Sequence, residues 1–259
     1  MPFADLKGSR VHYELTGEAK APVLVFSNSL GTNFSMWEPQ LPEMRKKMRV
    51  LCYDTRGHGK TSVSPGPYSI EQLGRDVLGL ADALSIDEFS FCGLSMGGMI
   101  GIWLGVHAPQ RLGKLALCST AAKIGSPESW NARIAAVPKG GMRSISQAVI
   151  ERWYTARFRE KAPEIAERTK QMVENTPAEG YIACCEALRD ADLRTSVGSV
   201  RTPTLVISGT HDPATPPSDG RFLAENISGA RYVELDAAHL SNIEQQERFT
   251  TELNIFLSA

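Results

Sequence analysis

Neither sign of charge is in excess. Lysine plus arginine number 28 and aspartate plus glutamate 29, for a formal net charge of -1. A nucleic-acid binder would carry a basic excess to meet the phosphates, so no nucleic-acid partner is expected. No apolar run approaches the roughly 20 residues needed to span a bilayer, so no membrane role is expected. The opening MPFADLKGSRVHYEL lacks the charged and apolar regions of a secretory signal. Cysteine is scarce and odd in number: Cys52, Cys92, Cys118, Cys184 and Cys185, with no C-x-x-C pair and no Cys/His ligand spacing. A disulfide framework and a zinc site are therefore not expected, no metal or cofactor is called for, and a reducing cytoplasm is the expected compartment. Internal repeats and low-complexity segments are absent, which excludes a solenoid.

What is present is a globular composition. Of 259 residues, 42% are hydrophobic and 22% charged, with 22 glycines besides. A chain of this length buries about three quarters of its unfolded surface and needs no covalent staples. The first stretch reads as a hairpin, Phe3 to Leu6 and Val11 to Leu15 around Lys7, Gly8 and Ser9. Short continuous apolar runs follow, Pro22 to Ser27 and Arg49 to Tyr53, as in parallel strands covered on both faces. Ser69 to Gln72 has the form of a capping box. Behind it Ile70, Leu73, Val77, Leu80 and Leu84 recur at helical spacing. Glu88 to Cys92 reads as a strand, Met99 to His107 as a helix, and Leu112 to Ser119 as a strand. This alternation predicts a doubly wound, mostly parallel α/β sheet.

The rhythm breaks between residues 122 and 200. No buried strand is legible there. Amphipathic helices are expected instead around Trp130, Ile134 and Val137; Ile145, Ala148, Val149 and Trp153; Ile165, Met172 and Val173; and Tyr181, Cys185 and Leu188. The α/β pattern resumes at Pro203 to Ser208 and Arg231 to Leu235, and a last helix is expected from about Gln245 to Leu257. Residues 1–121 and 201–259 thus form an α/β core, and 122–200 an inserted helical lid over the strand ends, where open sheets bind ligands.

Gly93-Leu94-Ser95-Met96-Gly97 matches G-x-S-x-G between an expected strand and an expected helix. The alternative is an ordinary glycine-rich turn. The strand–turn–helix setting favours a nucleophilic Ser95 on a turn too sharp for side chains at the flanking glycines, with the helix N-terminus aimed where negative charge would develop. A serine needs a base, and five histidines offer themselves. His12 on the hairpin is expected to face solvent. His107 ends a helix, where it can cap carbonyls. His58 suits a structural turn, and His211 is a weaker base candidate. His239 follows the last strand and completes the chain order Ser, acid, His. Asp212, just past the strand ending at Ser208, is the preferred acid; Asp236 is the alternative, with an Asx-turn role as its ordinary explanation. For an oxyanion hole, the Met96 backbone N–H and that of Leu30, in the loop Asn28 to Thr32, are the candidates.

These residues resemble the α/β-hydrolase superfamily over essentially the whole chain: the elbow Gly93 to Gly97, Arg56-Gly57-His58-Gly59, Gly209 to Asp212, and the late His239, all in order. The oxyanion loop departs from the usual His-Gly, showing Asn28-Ser29. Ser27 to Thr32 followed by Met36-Trp37, Tyr53 to Gly59, Cys92 to Gly98 and Ala237 to Asn242 are similar specifically to 3-oxoadipate enol-lactonases. The resemblance implies hydrolysis of a small enol-lactone in the β-ketoadipate branch of aromatic catabolism, through an acyl-enzyme and without metal. Sister esterases and C–C hydrolases share most of these motifs; dehalogenases place an aspartate where Ser95 stands. The implied substrate carries a carboxylate. Arg133, on the otherwise apolar stripe of Trp130 and Val137, either snorkels along the lid surface or binds that carboxylate. Trp153 is lid core or pocket wall. A neutral-substrate esterase and a catalytically weak receptor of the same fold are the rival readings. No pattern speaks to oligomeric state.

Overall fold

The computed structural model describes residues 2–259. β1 (Phe3–Leu6) and β2 (Ser9–Thr16) pair antiparallel, Leu6 opposite Ser9, so the turn is only Lys7 and Gly8. β3 (Val23–Ser27), β4 (Arg49–Tyr53), β5 (Phe89–Leu94), β6 (Leu112–Cys118), β7 (Thr204–Gly209) and β8 (Arg231–Leu235) complete an eight-stranded sheet in the order β1-β2-β4-β3-β5-β6-β7-β8. β2 meets β4 antiparallel, and every pairing from β4 to β8 is parallel. β7 is buried along its whole length, whereas β8, at the edge, is buried only at Leu235. An unbroken apolar run therefore marks the sheet's centre and a mixed one its rim.

The helices are α1 (Leu41–Met44), α2 (Ile70–Ala83), α3 (Met96–His107), α4 (Pro127–Gly140), α5 (Arg143–Trp153), α6 (Ala156–Lys161), α7 (Pro163–Glu174), α8 (Ala178–Asp190), α9 (Pro217–Asn226), α10 (Ser241–Glu244) and α11 (Gln246–Ser258). The Ser69 hydroxyl accepts the Gln72 N–H and starts α2, whose Ile70, Leu73, Val77 and Leu80 form the buried face. α3 begins at Met96, three residues before the apolar run suggests. It packs against β3, β5, β6 and α2 and is buried from Met96 to Gly105. A helix enclosed on all sides needs no polar face, so periodicity could not locate its first turn.

Between β6 and β7 the described residues hold α4 to α8 and no strand. α6 is a six-residue helix that the apolar pattern does not announce. In α5 the buried residues are Ser146, Val149, Ile150 and Trp153, whereas Ala148, assigned to that face by spacing, is exposed. This helical segment is closed at its base by the bond from Leu193 N–H to Ala122 O at 2.8 Å, and is joined to the loops beside the sheet by Tyr68 N–H to Ala183 O at 3.3 Å and Leu240 N–H to Trp153 O at 3.0 Å. Gly57 and Gly180 touch backbone to backbone: a Cβ on Gly180 would lie 2.1 Å from the Gly57 carbonyl oxygen.

His12 is not exposed. It is 2% accessible, bonded through Nδ1 to Asp54 Oδ2 at 2.6 Å and stacked on Phe34 at 5.1 Å between centroids. Asp54 also accepts the backbone N–H groups of Phe34 and Lys60, so the His12–Asp54 pair staples two loops to β2. His107 is exposed and lies against Trp103 at 4.8 Å. All five cysteines are free and buried. No helix among the described residues is long and apolar enough to cross a membrane.

Candidate active site

Ser95 joins the end of β5 to the start of α3 with φ +59° and ψ -115°. A non-glycine residue holds such a conformation only where its surroundings over-determine it. Here they do: the Ser95 N–H donates to Cys118 O at 2.9 Å, and its carbonyl accepts the Thr120 hydroxyl at 2.7 Å. A Cβ on Gly93 would stand 2.1 Å from Gly97 O, and one on Gly97 would stand 2.3 Å from Ser27 O. Both positions must be glycine because backbone occupies the space.

The loop after β3 approaches the same point. Asn28, which stands where the superfamily resembled in sequence usually has histidine, uses its side chain as a brace. Its amide donates to Tyr53 O at 2.7 Å, its Oδ1 accepts the Trp37 indole N–H at 3.0 Å, and its carbonyl accepts the Gly97 N–H at 3.1 Å. His58, buried completely, accepts the Gly31 N–H through Nε2 at 2.9 Å, and its Nδ1 lies 3.2 Å from Arg56 O. Burial pushes its pKa down to about 4, against the Arg56 carbonyl and the Asp54 charge. The imidazole is therefore neutral and holds the loop as an acceptor. With Gly31 so engaged, the Leu30 and Met96 N–H groups have no partner among the described residues. Leu30 lines one cavity with Ser95, and Met96 follows the serine at the helix N-terminus.

His239, after β8, lies 2% accessible, with Nδ1 2.7 Å from Asp212 Oδ2. Asp212, after β7, also accepts the Thr215 hydroxyl at 2.7 Å and the Ala214 and Thr215 N–H groups at 2.8 and 3.1 Å. Burial opposes its charge, but the imidazole beside it and these donors outweigh burial and hold its carboxyl below the usual range. Asp236 faces elsewhere: at the surface it meets His211 Nε2 at 2.8 Å and Arg157 at 2.8 Å. Thr215 is a site residue the sequence reading passes over. Its spacing of three from Asp212 suits a side chain that donates back to the carboxylate.

Ser95 and His239 open into a cavity of about 290 Å³ whose wall also includes Leu30, Trp130, Arg133 and Trp153. Trp153 stacks over His239, 6.2 Å between centroids with planes 26° apart. Arg133 reaches the cavity wall, with its guanidinium over the Trp130 ring at 5.0 Å and Nη1 donating to Tyr181 Oη at 3.4 Å. Arg152 of α5 lines the same space and was missed. It sits three residues after Val149, beside the apolar stripe, and that spacing is the signal that could have found it. Glu244 is a second omission. Its carboxylate accepts the Thr155 N–H at 3.2 Å, the Thr155 hydroxyl, and the Ala238 N–H at 3.0 Å, so it joins α6 to the His239 loop. No cluster of metal-ligating side chains occurs among the described residues.

A family model described as alpha/beta hydrolase fold matches residues 22–246. The chain is 46% identical to 3-oxoadipate enol-lactonase 2 of Acinetobacter baylyi over 92% of its own length and 90% of that protein's. It is 41% identical to 3-oxoadipate enol-lactonase 1 of the same organism over 94% and 91%. Among solved structures it is similar to the enol-lactonase from Burkholderia xenovorans LB400, at 48% identity and a TM-score of 0.99, with both chains covered completely.

Proposed function

Because the chain belongs to the α/β-hydrolase fold family, we propose that Ser95, His239 and Asp212 are its catalytic triad, the Met96 and Leu30 N–H groups its oxyanion donors, and residues 122–200 a lid over the carboxyl ends of the strands. The protein is a carboxylic ester hydrolase, and its substrate is 3-oxoadipate enol-lactone, opened to 3-oxoadipate, as the names of its relatives indicate. The observation that carries the reading is one cavity: Ser95 and a carboxylate-oriented His239 share it with Leu30 and a cationic wall, and Met96 follows the serine at the helix N-terminus. The five buried free cysteines support a cytoplasmic location.

Ser95 Oγ attacks the lactone carbonyl while His239 Nε2 takes its proton. Asp212, on Nδ1, fixes the tautomer and stabilises the imidazolium that forms. The oxyanion is met by the Met96 and Leu30 N–H groups, each donor being worth about 3 kcal/mol in such sites. Collapse breaks the bond from the acyl carbon to the ring oxygen. The leaving enolate takes the proton held by the His239 imidazolium, which frees the base again, and becomes a ketone that stays tethered, because acyl and leaving groups are one molecule. Water then attacks the acyl-enzyme, giving its proton to His239, which returns one to Ser95 Oγ. An enolate leaves more readily than an alkoxide, so the chemistry calls for no cofactor. In this reading Arg133, on the cavity wall, binds the substrate's own carboxylate.

The test is a comparison of the acidic enol-lactone with p-nitrophenyl acetate, using the parent protein and Ser95→Ala. The lactone is expected to be preferred and the variant to lose about 10⁴-fold or more in turnover. A preference for the neutral ester would make the protein a broad esterase. Lactone turnover by the variant within an order of magnitude of the parent would end the covalent mechanism.

A further inference from the structure

Two buried threonines bond the carbonyl side of the same two peptides whose N–H groups lack a partner among the described residues. The Leu30 N–H belongs to the peptide that begins with the Ser29 carbonyl, and that carbonyl accepts the Thr32 hydroxyl at 2.7 Å. The Met96 N–H belongs to the peptide that begins with the Ser95 carbonyl, and that carbonyl accepts the Thr120 hydroxyl, also at 2.7 Å. Each carbonyl already has a backbone donor. Ser29 O takes the Thr32 N–H at 3.2 Å across a turn in which Gly31 has φ +80°, and Ser95 O takes the Met99 N–H at 3.1 Å as α3 begins. The Thr32 hydroxyl also lies 3.1 Å from Met36 Sδ, but a thioether accepts weakly, so the proton goes to the carbonyl. Thr120 reaches the elbow through a strained neighbour. Ser119 holds φ +41°, fixed by its N–H on Ile207 O at 2.7 Å. Gly98 leaves the space: a Cβ there would stand 2.5 Å from the Thr120 Cβ. A second glycine beyond the five-residue elbow motif is thereby accounted for.

Both peptides are trans, so C=O and N–H point in opposite directions within one plane. A donor on the oxygen therefore fixes where the N–H on the far side is aimed. It also draws electron density toward the oxygen and makes the N–H a stronger donor. We propose that Thr32 and Thr120 are positioning residues of the oxyanion hole, each orienting and polarising one donor peptide through its carbonyl, given the oxyanion roles of Leu30 and Met96 on which this rests. The effect grows along the reaction. As the substrate's carbonyl oxygen takes on negative charge and pulls on the two N–H groups, the Ser29 and Ser95 carbonyl oxygens become more negative, and the threonine hydroxyls bind them more strongly. A bond that tightens only in the transition state lowers the barrier and leaves substrate binding as it was. A threonine that merely filled space and satisfied its own hydroxyl would change stability alone.

Thr32→Val and Thr120→Val keep the branched shape and remove the hydroxyl. Steady-state kinetics on the acidic lactone and on p-nitrophenyl acetate are measured beside the Ki of trifluoroacetone, whose adduct with Ser95 places an oxyanion in the hole. Each variant is expected to lose about tenfold in kcat on whichever substrate is turned over, a part of the roughly 10²–10³ that loss of a whole donor costs, with KM within about twofold of the parent. The trifluoroacetone Ki should rise by the factor by which kcat falls. Thr32→Ser and Thr120→Ser keep the hydroxyl and should recover most of the activity. The double valine variant should lose about a hundredfold, because the two hydroxyls act on different peptides. The proposal is overturned if either valine variant keeps kcat within about twofold of the parent, if kcat falls while the trifluoroacetone Ki stays put, or if the serine variants recover nothing. Should a valine variant not fold, Thr32→Ala or Thr120→Ala is read by the same criteria. The two readings fail separately. Ester turnover retained by Ser95→Ala refutes the site itself, whereas an inert Ser95→Ala beside fully active valine variants refutes the threonine roles alone.

Discussion

Trp153 and His239 are fastened together twice: the indole lies over the imidazole at 6.2 Å, and the Trp153 carbonyl accepts the N–H of Leu240, the next residue after the histidine, at 3.0 Å. His239, the proposed general base, is thus held from the helical segment between β6 and β7 as well as from Asp212. Glu244 reinforces the arrangement by bonding Thr155 on one side and Ala238 on the other. Glu244→Ala is expected to lower kcat by about tenfold, as one or two charge-assisted bonds of positioning are lost, with a smaller change in KM. Glu244→Gln keeps an acceptor and should recover part of the loss. Steady-state kinetics beside urea unfolding check this; a loss of stability in both variants with kcat unchanged would make Glu244 a structural clasp only.

Asp212→Asn tests the orienting carboxylate. The amide can present its N–H to His239 Nδ1 and select the wrong tautomer, so kcat should fall by about 10⁴-fold. KM for the acidic lactone should change far less. Equal changes in both would mean that the substitution had disordered the cavity.

His58 makes stability depend on acid. In the unfolded chain it titrates near 6.5, and in the folded protein near 4. The folded state therefore binds fewer protons between these values. Its contribution is complete above pH 6.5 and is lost as the pH falls toward 4, to a ceiling of about 3 kcal/mol. Because His58 Nε2 accepts the Gly31 N–H, the loop Asn28 to Thr32, which carries the proposed oxyanion donor Leu30, should loosen with it. Urea midpoints between pH 7 and pH 5 should drop more steeply for the parent than for His58→Gln. Parallel curves would show that some other group governs the acid limb.

Gly180→Ala probes the seam between α8 and the loop that carries Gly57. The added methyl would stand 2.1 Å from Gly57 O, and neither backbone has a side chain to move aside. A cost of about 1–3 kcal/mol is expected, from overpacking. Unfolding free energies measured in urea decide; a loss below 0.5 kcal/mol, roughly the scatter of harmless surface substitutions, would mean that the two segments separate easily.

The strands were legible where both faces of the sheet are covered, as at Thr204–Gly209, because uniform burial leaves an uninterrupted apolar run. The doubly wound sheet and the break in rhythm after Ser119 followed from the same signal. Where environment is set by distant partners, local pattern fails. His12 looks like a polar residue on an outer hairpin, yet Asp54, 42 positions on, draws it inside. Arg152 lies beside the apolar stripe of α5 in sequence, but it takes the folding of α4 against α5 to bring it and Arg133 to one cavity. α3 lost its first turn to the opposite problem, since a helix apolar all round has no phase to read. The elbow was recognisable because its glycines are dictated by backbone collisions, which leave a trace in sequence regardless of what lies across the fold.

The left-handed backbone at Ser95 has an evolutionary corollary. Glycine would occupy φ +59° without the steric penalty a serine bears there, so the residue that the proposed chemistry demands is one that thermodynamics would gladly discard. A lineage released from the need to hydrolyse anything should drift away from serine at this spot and become hardier for it, while the chains that keep it advertise continuing selection for turnover.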